Sequence, residues 1–145
     1  MTGSILRLDI VSAEKQIFSG EVEMVLVTGD EGELGIAPGH SQLLTTLQPG
    51  YVRALLPGKE EEIFYISGGM LEVQPYIVSV LADTAMRAAD IDEAAALAAK
   101  EQAEKALAGK ISAMDLAKAT AELAEISAQI RAIQRLKKQA RGDRT

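Results

Sequence analysis

The chain has no cysteine and a single histidine, and all four of its prolines fall before residue 85. Without cysteine there is no disulfide framework and no thiolate chemistry, which agrees with a reducing compartment. With one histidine and no serine in a nucleophile-elbow pattern, no nucleophile, base and oxyanion site assembles. No apolar run approaches the roughly 20 residues that span a bilayer. The N-terminus has no basic segment followed by a long apolar run, so a secretory signal is not expected. The expectation is a chain that is soluble, or peripheral to something larger.

The net charge of −6 is unevenly spread. Residues 131–145 hold six basic side chains (Arg131, Arg135, Lys137, Lys138, Arg141, Arg144) and one acid, Asp143. The rest of the chain is strongly acidic, and phosphate would repel it, which argues against general nucleic-acid binding. The basic end suits an acidic partner. It equally complements a helix macrodipole.

Residues 1–84 hold ten of the twelve glycines and four alanines, whereas residues 85–145 hold two glycines and nineteen alanines. Alanine favours helix, and proline and glycine punctuate strands and turns. The boundary therefore falls at the Val80–Asp92 junction: a β domain over 1–84 and a helical unit over 85–145.

In the first part, Ile5–Val11 reads as a strand, and Lys15–Phe18 starts a second that Ser19-Gly20 interrupts. Glu21–Val27 begins in alternation and becomes continuously apolar, as one strand buried at one end. Gly29–Gly35 reads as a glycine-rich acidic loop. Tyr51–Leu56 and Glu62–Ile66 flank Pro57-Gly58-Lys59 as a hairpin, and Ser67-Gly68-Gly69 turns into Met70–Val73 and Ile77–Leu81. Many short strands predict an antiparallel sandwich or flattened barrel. There is no room for crossover helices, so parallel pairing is not expected.

In the second part, Asp90 with Glu93 reads as a capping box. Ile91, Ala95, Ala99, Ala103 and Ala106 make an alanine face, and Gly109 is a natural stop. Ser112 with Asp115 signals a second start. Leu116, Ala119, Leu123, Ile126, Ile130 and Ile133 then repeat at spacings of 3 and 4. The short connection predicts an antiparallel helical hairpin. An alanine face buries little apolar area, so the hairpin is expected to dock marginally and to be open to displacement.

The chemistry is sparse. His40, between Gly39 and Ser41, reads as a loop hydrogen-bonding residue. Gly29-x-x-Gly32-x-x-Gly35 lacks the dinucleotide spacing, and Asp30, Glu31 and Glu33 would repel phosphate. The same acids are better read as solvated, or facing a polar partner, than as a metal site. The residues alone describe a noncatalytic interaction protein with a basic-ended helical arm.

Three stretches resemble one family. Gly29–His40 with Leu43-Leu44-Thr45, Ser67–Val73, and Val80–Ala85 followed by Asp90–Ala94 are similar to the landmarks of the epsilon subunits of bacterial F-type ATP synthases. Ala121–Ala124 through Ala128–Arg131 resembles the proteobacterial type. The resemblance covers essentially the whole chain in the expected order. It implies an N-terminal β-sandwich of about ten strands, then a two-helix hairpin. It also implies a noncatalytic rotor subunit, peripheral at the cytoplasmic face of the bacterial inner membrane. Its sandwich would bind the gamma subunit and the polar loops of the c-ring, with Glu33 as the ring-facing acid and Glu31 and His40 nearby. The extended hairpin would meet the alpha and beta subunits of the catalytic head and block ATP hydrolysis, bringing Arg131, Arg135, Lys137, Lys138 and Arg141 to acidic segments of the beta subunits.

The sequence departs from the family in three places. Some members bind ATP through Ile/Leu-Asp-x-x-Arg-Ala; here Ile91 and Asp92 are followed by Ala95 in place of the arginine. Weak or absent ATP binding is expected, and no other cofactor or metal is implied. Ala37 stands where a larger residue is usual, and Ser41-Gln42 replaces Ala-Pro. The competing reading is an independent module that dimerises through its hairpin.

Overall fold

The computed structural model describes residues 5–29, 32–58, 60–109 and 111–142. Among these, ten strands form two five-stranded sheets, and two helices follow. The first sheet has the order β2 (Gln16–Val22), β1 (Leu6–Ser12), β9 (Ile77–Ala82), β8 (Gly69–Gln74), β5 (Leu43–Leu47). The second has the order β10 (Ala85–Arg87), β7 (Glu61–Ile66), β6 (Gly50–Leu55), β3 (Met24–Gly29), β4 (Gly32–Ile36). Alternating residues of both sheets meet in one core, with Leu8, Ile10, Val25, Val52, Phe64 and Leu71 fully buried. Period-2 alternation is the physical cause, since successive strand side chains point to opposite faces.

Four details differ from the expectations. Glu21–Val27 is not one strand. The chain leaves the first sheet after Val22, turns at Glu23 and enters the second sheet at Met24. Val22 and Val25 are both fully buried, yet three residues apart they would lie on opposite faces of a single strand. A corner between sheets lets both point inward. The acidic loop is instead a hairpin, with Gly32–Ile36 as β4 pairing β3 through Gly29↔Gly32 to Val25↔Ile36. β2 runs unbroken through Ser19-Gly20. One pair is parallel: β1 lies beside β9 from Arg7↔Ile77 to Ser12↔Ala82. No local crossover makes that pair; the chain passes through seven intervening strands.

The second sheet includes β10, so the sandwich runs to Arg87, three residues beyond residue 84. A 3₁₀ turn over Ala88–Asp90 then leads into α1 (Glu93–Ala108). Its N-cap is Asp92 rather than Asp90: the Asp92 carboxylate accepts from the Ala95 amide at 3.1 Å. Asp90 is consumed by the 3₁₀ turn, which moves the helix start two residues on. Gly109 ends α1 in extended conformation, and Ser112 caps α2 (Ala113–Ala140), accepting from the Asp115 amide. The helices pack against each other as a hairpin. The buried alanines of α1 are Ala96 and Ala103; Ala95, Ala99 and Ala106 are exposed.

Helix α2 has two buried faces. Ala119, Ile130 and Ile133 belong to the stripe read from the sequence, while Leu116 is exposed. A second face, Ala128, Ala132 and Leu136, lies on Ile63, Tyr65 and Tyr51 of the second sheet, with Ala88 and Ile91 at its margin. Both Ala128 and Ala132 are 0 % exposed, so the helix backbone rests almost directly on the strands. Among the described residues no helix is long and apolar enough to cross a membrane.

Candidate functional site

Strands β6 and β7 present Tyr51, Arg53, Glu61, Ile63 and Tyr65 on one face, since these positions alternate and pair in register. The apolar members meet α2. The charged members build a network. Arg53 Nε donates to Glu61 Oε1, and Arg53 Nη1 donates to Glu33 Oε2 at 3.2 Å. Thr28 Oγ1 donates to the same Glu33 oxygen at 3.2 Å. Arg135 of α2 brings Nη2 to 3.8 Å from Glu61 Oε2. Gln139 Nε2 donates to the Glu61 carbonyl oxygen at 2.7 Å. Burial alone would lower the pKa of Arg53, but the hydrogen bonds and charges of Glu61 and Glu33 raise it above its ordinary value.

Glu33 is thus half-exposed on β4, at the rim of an open cleft of about 580 Å³ that Thr28, Leu34, Thr45, Leu47 and Gln48 also line. Glu31 lies outside the described residues, as does Asp30. His40 sits in the β4–β5 loop, its Nδ1 2.7 Å from the Ser41 carbonyl oxygen, and it does not line that cleft. It fits the loop-bonding role read for it.

The basic residues of α2 are not presented together. Arg135 is buried, Arg131 and Lys138 are half-buried, and Arg141 is exposed at the helix end. Lys137 pairs with Glu93 of α1 at 2.8 Å. Ile91 packs beside the α2–sheet contact, and the Asp92 carboxylate is engaged as a cap. No cluster of metal-ligating side chains occurs among the described residues.

Sequence reasoning missed Arg53, Glu61 and Gln139. The signal was present for the first two: an arginine alternating inside an apolar strand, opposite Ile63 and diagonal to an acid two residues from it, marks one face. Nothing local marked Gln139.

Tyr65 supplies a titration test of the docked helix. Burial raises its phenol above the usual value near 10, and the charge of Glu125 adds to the rise, while a Gln129 hydrogen bond opposes it. The undocked phenol keeps its ordinary value, so the contribution of Tyr65 to docking is fully present below about pH 10 and is lost as pH rises through the raised value. The difference in tyrosinate absorbance between the parent and Tyr65→Phe should isolate this late-titrating phenol from the other two tyrosines; an identical alkaline profile in the variant would contradict the assignment.

The sandwich and the hairpin each match a family model. Residues 5–88 match the ATP synthase delta/epsilon chain β-sandwich domain, and residues 89–134 match the ATP synthase delta/epsilon chain long α-helix domain. The ATP synthase epsilon chain of Nitrosococcus oceani is 58% identical over 133 residues, covering 92% of this chain and 95% of that one. The ATP synthase epsilon chain of Legionella pneumophila is 60% identical over 131 residues, covering 90% and 94%. In fold, the chain resembles one in the mitochondrial ATP synthase of Euglena gracilis, with TM-score 0.80 at 20% identity over 90% of this chain and 82% of that one. It also resembles one in the Tetrahymena thermophila mitochondrial ATP synthase, with TM-score 0.57 at 14% identity over 90% and 95%.

Proposed function

The chain belongs to the ATP synthase delta/epsilon family as a noncatalytic subunit, and from that membership we propose that it works in the central stalk of a bacterial F-type enzyme. Its sandwich binds the gamma subunit and the c-ring, with Glu33 at the ring-facing end. Through them it couples proton-driven rotation to ATP synthesis in the catalytic head. The complex holds it peripherally at the cytoplasmic face of the inner membrane. The hairpin, when it leaves the sandwich and extends, contacts the alpha and beta subunits and blocks ATP hydrolysis. The observation that carries this last step is the nature of the docked face. Ala128, Ala132 and Leu136 on Ile63, Tyr65 and Tyr51, with an ion pair and a hydrogen bond to Glu61, hold α2 in a cluster separate from the sandwich core, so the helix can leave without opening that core.

Two details are refined. Arg135 reaches an acidic partner only after release, because in the docked hairpin it is committed to Glu61. ATP binding by the hairpin is weak or absent, a reading supported by the exposed alanine at position 95 and by the Asp92 carboxylate accepting from its own helix. A dimer through the hairpin competes poorly, since α2 already covers the sheet of its own chain.

The test is ATP hydrolysis by the catalytic head reconstituted with the full chain and with residues 1–88, a truncation that keeps all ten described strands. Both should bind, and only the full chain should inhibit. Equal activity would leave the sandwich as coupling element and remove the brake from the hairpin. Failure of both to bind would remove the stalk role.

A further inference from the structure

Four charges lie in a line from the cleft into the hairpin: Glu33 on β4, Arg53 on β6, Glu61 on β7 and Arg135 on α2. Their signs alternate, two of each, so the line is neutral as a whole. Its inner members are shielded, with side-chain exposures of 14% for Arg53, 6% for Glu61 and 7% for Arg135. Only Glu33, at 38%, opens to solvent. Glu61 is the shared acceptor. One carboxylate oxygen takes Arg53, the other faces Arg135, and its main-chain oxygen takes Gln139. The residue that ties α2 down is therefore one bond away from the residue that holds Glu33.

We propose that this line is a latch: a cationic side chain of a partner that captures the Glu33 carboxylate loosens α2 from the sheet. The proposal rests on the reading of Glu33 as partner-facing. While Glu33 accepts from Arg53, that guanidinium divides its donors between two carboxylates. A cation that takes Glu33 leaves Arg53 with Glu61 alone. The guanidinium fork then draws on both Glu61 oxygens, the geometry that arginine and carboxylate favour. Arg135, the more distant claimant at 3.8 Å, is displaced. Two shielded cations now share one anion, and their repulsion is weakly screened there.

The coupling runs both ways, as linkage requires. Release of α2 withdraws Arg135 and commits Glu61 to Arg53. The hold of Arg53 on Glu33 weakens, and the acid is freed for its partner. Seating on the partner and release of the hairpin therefore favour each other, although Glu33 makes no hydrogen bond or ion pair to either helix in the contacts described.

The test uses the full chain labelled with 3-fluorotyrosine. The chain has three tyrosines, and Tyr65, buried beneath α2, reports helix opening through its fluorine resonance. Glu33→Gln should raise the open population about three- to fivefold, in the range of a partly exposed ion pair. Glu61→Gln should raise it about tenfold or more, because two shielded arginines lose their common anion. In an Arg135→Gln background the Glu33→Gln step should vanish. An unmoved Tyr65 signal in Glu33→Gln, or an equal step in both backgrounds, overturns the latch. Should Glu33→Gln unfold the sandwich, Glu33→Asp, which keeps the charge but cannot reach Arg53, replaces it with the same two outcomes. Assembly with the catalytic head and c-ring separates the premises. Lost assembly with an unmoved Tyr65 keeps the partner-facing reading and overturns the latch. Intact assembly with a shifted Tyr65 keeps the latch and overturns the partner-facing reading.

Discussion

Gly69→Ala is expected to destabilise the sandwich by roughly 4 kcal/mol, combining a strained backbone with an overpacked one. Gly69 sits at φ +144, a conformation that L side chains rarely adopt. It also begins β8 between two partners, pairing Leu47 of β5 and Ala82 of β9. An added Cβ would collide with the Leu81 carbonyl oxygen and lie 2.9 Å from the Ala82 Cα. Both are backbone atoms of a central strand, so no side chain can swing away. A domain of this size with a total stability of about 5–15 kcal/mol has little margin for such a loss. The midpoint should fall by about 15–25 °C. Gly58 is the control. Its φ is +93, but a Cβ there meets nothing within 4 Å, so Gly58→Ala should cost only about 1–2 kcal/mol. Urea and thermal unfolding of the two variants compare them directly. Equal losses would mean that the close approach of β9 has no energetic weight.

Ala132→Leu is expected to lift α2 from the sheet without unfolding the sandwich. Ala132 is fully buried against a surface that includes Ile63 and Tyr65. Three more heavy atoms have no room there, and overpacking of this kind costs about 1–3 kcal/mol. In a core the whole domain absorbs that cost. Here it falls on an element that can move away, so it becomes a shift in population. About 2 kcal/mol corresponds to an increase of about 30-fold in the undocked state. If release arms the brake, the assembled enzyme carrying Ala132→Leu should hydrolyse ATP more slowly than the parent. Ala99→Leu, on the exposed side of α1, should leave both docking and hydrolysis alone. A solvent-exposed Tyr65 with unchanged hydrolysis would separate release from inhibition.

The strands were legible because a half-buried strand writes its faces into every second residue. That code fails where the face reverses, and so Val22 and Val25 concealed a corner. Pairing between β1 and β9 left no local trace, because residues about seventy apart share no pattern in a linear reading. The first stripe of α2 was visible through Leu123, Ile126, Ile130 and Ile133. The second, Ala128, Ala132, Arg135 and Gln139 beside the single leucine Leu136, has helical spacing but is mostly small and polar. Such a face reads as solvent until the opposing sheet supplies Glu61 and its carbonyl. Of the site, Glu33 was legible only as one acid of a glycine-rich stretch. Its tie to Arg53 was not, because that contact needs β3 inserted between β4 and β6.

The parallel pairing of β1 with β9 has a consequence for biosynthesis. β1 is made well before one of its two neighbours, which appears only at Ile77–Ala82. Until then β1 can pair only with β2, and its other edge is unfilled. Closing so long a loop makes nonlocal pairing slow, so completion of the first sheet should limit the folding rate. A nascent chain halted before Ile77 would present Leu6, Leu8 and Ile10 on an open edge, a template for pairing with its neighbours. Prompt arrival of the ninth strand is then a protection against aggregation, won before the helical arm has been translated.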